Sequence, residues 1–249
     1  MRKISFSNDG IYHIFNRGVD KRTIFLEDGD YFRFIHDLYE FNDESPAENI
    51  YYKTSSLQSY DVGNRKIQKK VRTLLVDIIA FCIMPNHFHL LVKQRVENGI
   101  TLFMKKLGGG YANYFNTKNE RSGTLFQGRF QAVPIDTDEY LTYIPFYIHA
   151  NPIELYDPGC KESGFSKNKK DVLHFLESYR WSNFPDCIGK KNFPSVTQRD
   201  FILNYFGGPL QYKKYMLNWM DRFASSKISA NTTTKIEVSD RDMRDITLD

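Results

Sequence analysis

The stretch Leu74–Met84 (LLVDIIAFCIM), the dipeptide Pro85-Asn86 and the run His87–Lys93 (HFHLLVK) constrain this chain most. The first run is almost continuously apolar and partly β-branched. That is the pattern of a strand covered on both faces, and it reads as a buried central strand. Pro-Asn is turn chemistry. The second run reads as another strand, so the three pieces together predict an antiparallel hairpin. Within it, His87 and His89 are two residues apart and share one face, while Phe88, Leu90 and Val92 share the other.

Elements of both kinds flank this hairpin. Ile11–Asn16 (IYHIFN) reads as a short strand closed by Arg17-Gly18. Residues 28–42 read as a helix, with Asp28 or Asp30 as its cap and Phe32, Ile35, Leu38 and Tyr39 on one face. Residues 43–72 lack clear periodicity and read as a long connection, unusual in a compact domain unless it is functional. Residues 100–118 read as an amphipathic helix with Phe103, Leu107, Tyr111 and Tyr114 in phase, weakened by Gly108-Gly109-Gly110. A strand over 129–135 follows. A helix capped by Asp136–Asp138 then runs to Asn151, where Pro152 stops it. The expected class is α+β, with helices on a mostly antiparallel sheet. Residues 153–224 read as a helical, aromatic extension packed as a small appendage, and 225–249 as a disordered tail.

Charge is uneven along the chain. Residues 1–50 hold 6 Lys/Arg against 10 Asp/Glu, whereas residues 51–130 hold 13 against 4. A basic block of this kind suits a polyanionic partner, and equally an ordinary solvated surface. Cys82, Cys160 and Cys187 are odd in number and lack CxxC spacing, which argues against a disulfide framework or zinc knuckle and for a reducing interior. The N-terminus MRKISFSNDG has no apolar signal core, and no apolar run reaches spanning length. The expected setting is the cytoplasm.

Two constellations carry chemistry. His87 and His89 converge from one strand face and suit two positions on a divalent metal; a structural role remains open beside that reading. Tyr147 and Asn151 lie four apart on the predicted helix Glu139–Asn151, hence one turn apart on one face. An Asn oxygen suits Mg²⁺ or Mn²⁺, and a tyrosine beside such a metal has a nucleophile's position. Ordinary aromatic packing by Tyr140, Tyr143 and Tyr147 explains the helix as well. His13 lies on the first strand within reach of the site, or serves there as a satisfied structural histidine. Arg17, Lys105, Lys106, Arg121 and Arg129 are candidate DNA phosphate contacts, each also readable as surface charge. Phe126 and Phe130 suit base stacking or, better, buried packing.

MPNHFHLLV resembles the His-hydrophobic-His (HUH) signature of single-tyrosine transposases. The blocks YHIFNRG, MPNHFHLLV, FMKKLGGGYANYFN, RSGTLFQGRF, YIHANP and SYRWSNF, in this order, resemble REP-associated tyrosine transposases over roughly residues 11–190. The resemblance implies that residues 1–152 form an HUH single-tyrosine transposase domain: a ferredoxin-like sheet with helices on one face. It implies His87, His89 and Asn151 as ligands of Mg²⁺ or Mn²⁺ and Tyr147 as the nucleophile. The implied activity is cleavage and transfer of single-stranded DNA beside hairpins through a 5′-phosphotyrosine intermediate, by a monomer or a homodimer. Two other readings stand beside it: a domesticated protein that holds DNA hairpins without cutting, and a metal-dependent phosphodiesterase that uses water. The chain departs from the family at Pro145 inside the tyrosine helix, at Gly108–Gly110, and in the length of 43–72.

Overall fold

A computed structural model of the chain describes residues 4–45 and 72–230, with side chains to residue 224. Residues 46–71, most of the long connection expected at 43–72, lie outside the described residues, as do 231–249, most of the expected tail. The architecture is α+β. Strands β1 (Ile11–Arg17), β2 (Val76–Met84), β3 (His87–Gln94) and β4 (Gln131–Pro134) form one sheet in the order β2-β3-β1-β4, every neighbour antiparallel. With α1 (Asp28–Glu40) between β1 and β2, and α2 (Gly99–Lys118) between β3 and β4, this is the ferredoxin-like arrangement. Helix α3 (Asp138–Ala150) follows β4.

Helices cover both faces of the sheet, not the one face that the resemblance implied. Tyr12, Ile14, Phe81, Phe88, Leu90 and Val92 point to the side of α1 and α2, where Phe34, Leu38, Phe103, Leu107 and Tyr111 meet them in one core. Ile79, Ala80, Cys82, Met84 and Leu91 point to the other side and share a second core with α3 and the helices that follow it. Those are α4 (Ile153–Tyr156), α5 (Cys160–Ser163), α6 (Lys169–Ser178), α7 (Phe184–Cys187), α8 (Asp200–Phe206) and α9 (Pro209–Ala230). The region after residue 152 is therefore a second layer of the same body, with Val172, Phe184, Tyr212 and Met216 fully buried in it, and not a small appendage. Helix α9 continues to Ala230, so residues 225–230 are helical where a tail was expected.

Strand β2 is an edge strand, not the central one. Its apolar run reflects burial on both faces together with a covered edge. Residues 179–198 seal that edge. Ile83 N donates to Trp181 O at 2.9 Å, Asn183 N to Phe81 O at 3.2 Å and Gln198 N to Ile78 O at 2.8 Å. Tyr179 Oη donates to Ile83 O at 2.7 Å. The register shifts between Ile78 and Ala80, and Asn183 takes up the irregularity: its Nδ2 donates to Ile79 O at 3.1 Å and its Oδ1 accepts Phe81 N at 2.7 Å. The shift puts Ile78 in one core and both Ile79 and Ala80 in the other, so the run does not alternate in sequence.

Two local expectations change in detail. Helix α1 is capped by Glu27, not by Asp28 or Asp30; Asp30 Oδ2 instead accepts from the backbone N–H of Glu27 at 3.3 Å, completing a capping box, and from that of Leu26 at 2.8 Å. Its buried face is Tyr31, Phe34, Ile35 and Leu38, and Phe32 is 42% exposed. Pro145 lies inside α3, which nevertheless runs unbroken from Asp138 to Ala150.

Candidate active site on the histidine face

The site is built on the sheet face opposite α1 and α2. Strand pairing sets Arg17 across from His87 and Phe15 across from His89 on that face. Cross-strand partners point the same way, so β4 adds Gln131 and Val133, the partners of Phe15 and His13. Helix α3 lies over β2 and β3 and lowers Tyr147 onto the histidines: its ring meets His89 edge-on at 5.8 Å and His13 edge-on at 6.0 Å. The His87 and His89 rings are 5.1 Å apart. The structure thus gathers His87, His89, Tyr147 and Asn151 in one place.

Each histidine has one ring nitrogen engaged. His87 Nδ1 is 2.6 Å from Asn86 Oδ1, and His89 Nδ1 is 2.9 Å from His13 Nε2. His87 also has the Asn151 side chain as a polar neighbour, whereas His89 shows no second side-chain hydrogen bond among the described residues. Burial pushes the His87 imidazole down to about 3, helped by the positive charges of Lys161 and Arg17, while the Asn151 side chain acts the other way. Burial, with His13, His87 and Lys161 adding to it, holds His89 well below the usual range. Both imidazoles are therefore neutral near pH 7, the form that binds metals.

Asn151 is the C-cap of α3, just past its last turn. Its Nδ2 donates to Tyr147 O at 2.9 Å. Its Oδ1 lies buried beside His87 yet closes no hydrogen bond of normal geometry among the described residues. A buried amide oxygen left without a donor is costly and suits a cation. Two neutral imidazoles and this oxygen fit a divalent metal. Among the described residues there is no group of three or more His, Cys, Asp or Glu placed to hold an ion, so the set depends on the amide for its third member.

Tyr147 is in a setting that works against its phenolate. Burial raises its pKa, and Tyr143 and Tyr140 raise it further. Tyr143, stacked on Tyr147 at 6.0 Å, also contacts Trp219 of α9 at 5.9 Å, so the last helix backs the tyrosine helix.

The basic candidates separate. Arg17 is on the site face and 9% exposed. Arg129 is exposed, and with Arg17, Phe15, Gln127 and Gln131 it lines a cleft along β1 and β4; Arg17 and Phe15 are the cross-strand partners of His87 and His89. Lys105 and Lys106 are on α2, across the sheet from the site, and Lys106 Nζ donates to Asp43 O at 2.5 Å and Ser45 O at 2.9 Å. Arg121 ties down the turn after α2 through Asn116 Oδ1 at 2.6 Å. Phe126 and Phe130 pack against the core on the α1 side. Lys161, on the four-residue α5, was not foreseen: its charge acts on His87 and His89, and no motif marks it.

Residues 56–151 match the model of the family described as IS200-like transposases. No curated protein matches the chain. Among solved structures, the chain is similar to a REP-associated tyrosine transposase bound to a REP hairpin, with a TM-score of 0.43 and 13% identity, over 79% of this chain and 89% of that one. The family segment ends on Asn151 and contains His87, His89 and Tyr147, so the likeness to the IS200-like transposases covers the residues of this site.

Proposed function

We propose that the chain nicks and rejoins single-stranded DNA, with Tyr147 as nucleophile. The observation that supports this most is the convergence, from a strand and a helix, of two neutral histidines, a buried unpaired amide oxygen and a tyrosine ring. A divalent cation, Mg²⁺ or Mn²⁺, held by His87, His89 and Asn151 would polarise the scissile phosphate and stabilise charge on its oxygens.

The chain's own groups do the rest. Tyr147 Oη forms a bond to phosphorus as the bond from phosphorus to O3′ breaks. The phenolic proton goes to solvent, and the departing O3′ takes one up as a free hydroxyl. The DNA is left joined to Tyr147 through its 5′ phosphate. A later 3′-hydroxyl attacks the same phosphorus and releases the phenol, so the ester keeps the bond energy and no ATP is needed. Arg17 and Lys161 set positive charge about the histidines, and the cleft lined by Arg17 and Arg129 is the path we assign to the strand. Single-stranded DNA next to a hairpin is the substrate that the sequence resemblance implies.

The raised phenol pKa favours one other reading, hydrolysis by activated water with Tyr147 as packing. Incubation with end-labelled hairpin DNA and Mn²⁺, followed by a denaturing gel, separates the two. A labelled band at protein size supports the tyrosine reading. Cut DNA without that band supports hydrolysis, and intact DNA bound by the protein supports a holding role.

A further inference from the structure

The function read above leaves His13 without a role. It is fully buried on β1, yet its Nδ1 has no hydrogen-bond partner among the described residues. Among the described residues its side chain has one polar contact, His89, with Nε2 2.9 Å from His89 Nδ1 and the two rings nearly parallel, 20° apart, at 5.0 Å between centroids. Phe15 and Tyr147 enclose the rest of the ring at 5.0 and 6.0 Å. An apolar side chain would fill this space without burying an unpaired nitrogen, which carries a desolvation cost. A histidine here makes physical sense through what it does to His89.

We propose that His13 is a positioning residue that fixes the ring and the tautomer of His89. The inference rests on the reading that His89 binds a cation. A hydrogen bond between two neutral imidazoles has two proton arrangements. If His13 donates from Nε2, His89 carries its own proton on Nε2, a nitrogen with no hydrogen bond among the described residues. If His89 donates from Nδ1, its Nε2 lone pair is open, and the His13 proton moves to the enclosed Nδ1. Only the second arrangement makes His89 a metal ligand, and His13 Nε2 is the acceptor that permits it. The atoms balance, since each ring keeps one proton throughout. His13 reaches His89 diagonally across the β1–β3 pairing, where His13 faces Leu91 and Phe15 faces His89, so the acceptor is built into the sheet register.

The test uses the full chain and Mn²⁺ alone. His13→Met and His13→Gln have similar length, and only Gln offers an oxygen acceptor. Calorimetric titration should show Mn²⁺ affinity lower by about 10- to 100-fold in His13→Met, with most of it restored in His13→Gln. A second readout needs no substitution: long-range proton–nitrogen spectra of the wild-type chain with Mg²⁺ should show His89 protonated at Nδ1. Equal Mn²⁺ affinity in wild type and His13→Met, or an Nε2-protonated His89 in the loaded wild type, overturns the role of His13 alone. A wild type that takes up no Mn²⁺ overturns the cation site itself, and the inference with it.

Discussion

Asn151 and Tyr147 are tied through the backbone: Asn151 Nδ2 donates to the Tyr147 carbonyl oxygen at 2.9 Å. That bond occupies the amide's donor side and leaves Oδ1 beside His87 with no hydrogen bond of normal geometry among the described residues. The candidate ligand is thus oriented by the residue that carries the candidate nucleophile. Asn151→Ala removes the hydrogen bonds to Tyr147 O and, at 3.5 Å, to Ile148 O, together with the buried Oδ1. Stability should change by only about 1 kcal/mol in urea titrations, while Mn²⁺ affinity drops at least tenfold. Undiminished affinity in a folded Asn151→Ala protein would remove Asn151 from the site.

The glycine run in α2 divides by what each position faces. A Cβ at Gly110 would lie 2.4 Å from the Phe41 ring, whereas one at Gly109 meets nothing within 4 Å. Gly110→Ala should destabilise by about 1–3 kcal/mol through overpacking. Gly109→Ala should stabilise by up to about 1 kcal/mol through helix propensity. Denaturant midpoints of the two variants, moving in opposite directions, check this. The run thus reads as a close approach of α2 to the end of α1, at one residue of the three.

Asn183 joins the helical layer to the sheet. Its side chain accepts from Phe81 N, donates to Ile79 O and accepts from His149 Nε2 at 2.8 Å. Asn183→Leu keeps the volume and strands these groups inside a buried site. Each lost partner costs about 1–3 kcal/mol, so a large drop in the urea midpoint is expected, in one cooperative transition by both circular dichroism and tryptophan fluorescence. Two separate transitions would show that the layer after residue 152 folds independently of the sheet.

His149 makes part of the stability depend on pH. It is fully buried between Asn183 Oδ1 and Tyr212 Oη, and burial pushes its imidazole from 6.5 down to about 4. Between these values the unfolded chain binds a proton that the folded chain refuses. The contribution is complete above about pH 6.5 and is lost as pH falls towards 4. His149→Gln keeps an amide in the same place without a titrating group. Its unfolding free energy should fall less between pH 7.5 and pH 4.5 than that of the wild type, measured by urea titration at both. An equal fall in both proteins would place the proton uptake elsewhere.

The histidine pair was legible because a strand repeats every two residues, so His87 and His89 had to share a face. Tyr147 and Asn151 were legible as neighbours from their spacing of four, but their meeting with the histidines came from resemblance, since no local pattern says which helix crosses which strand. The run 74–84 misled about strand order. Apolar residues record burial, and Asn183, Tyr179 and Gln198, a hundred residues on, provide it at an edge. Lys161 left no trace in the sequence, because a single lysine on a four-residue helix looks like any surface lysine. Lys105 and Lys106 looked suited to DNA by charge alone. The topology sets them across the sheet from the histidines, so a strand in the site reaches them only by wrapping round the fold.

The central claim is that Tyr147 forms the covalent bond to DNA. Protein incubated with a hairpin substrate and Mn²⁺, then digested with protease and nuclease, gives peptides for mass spectrometry. The account predicts that the peptide containing YIHANP carries the residual nucleotide on Tyr147, and that Tyr147→Phe yields no modified peptide while still binding the hairpin within a few-fold of the wild type. A nucleotide on Tyr143 or Tyr140, or cleaved DNA with no modified peptide, would contradict it.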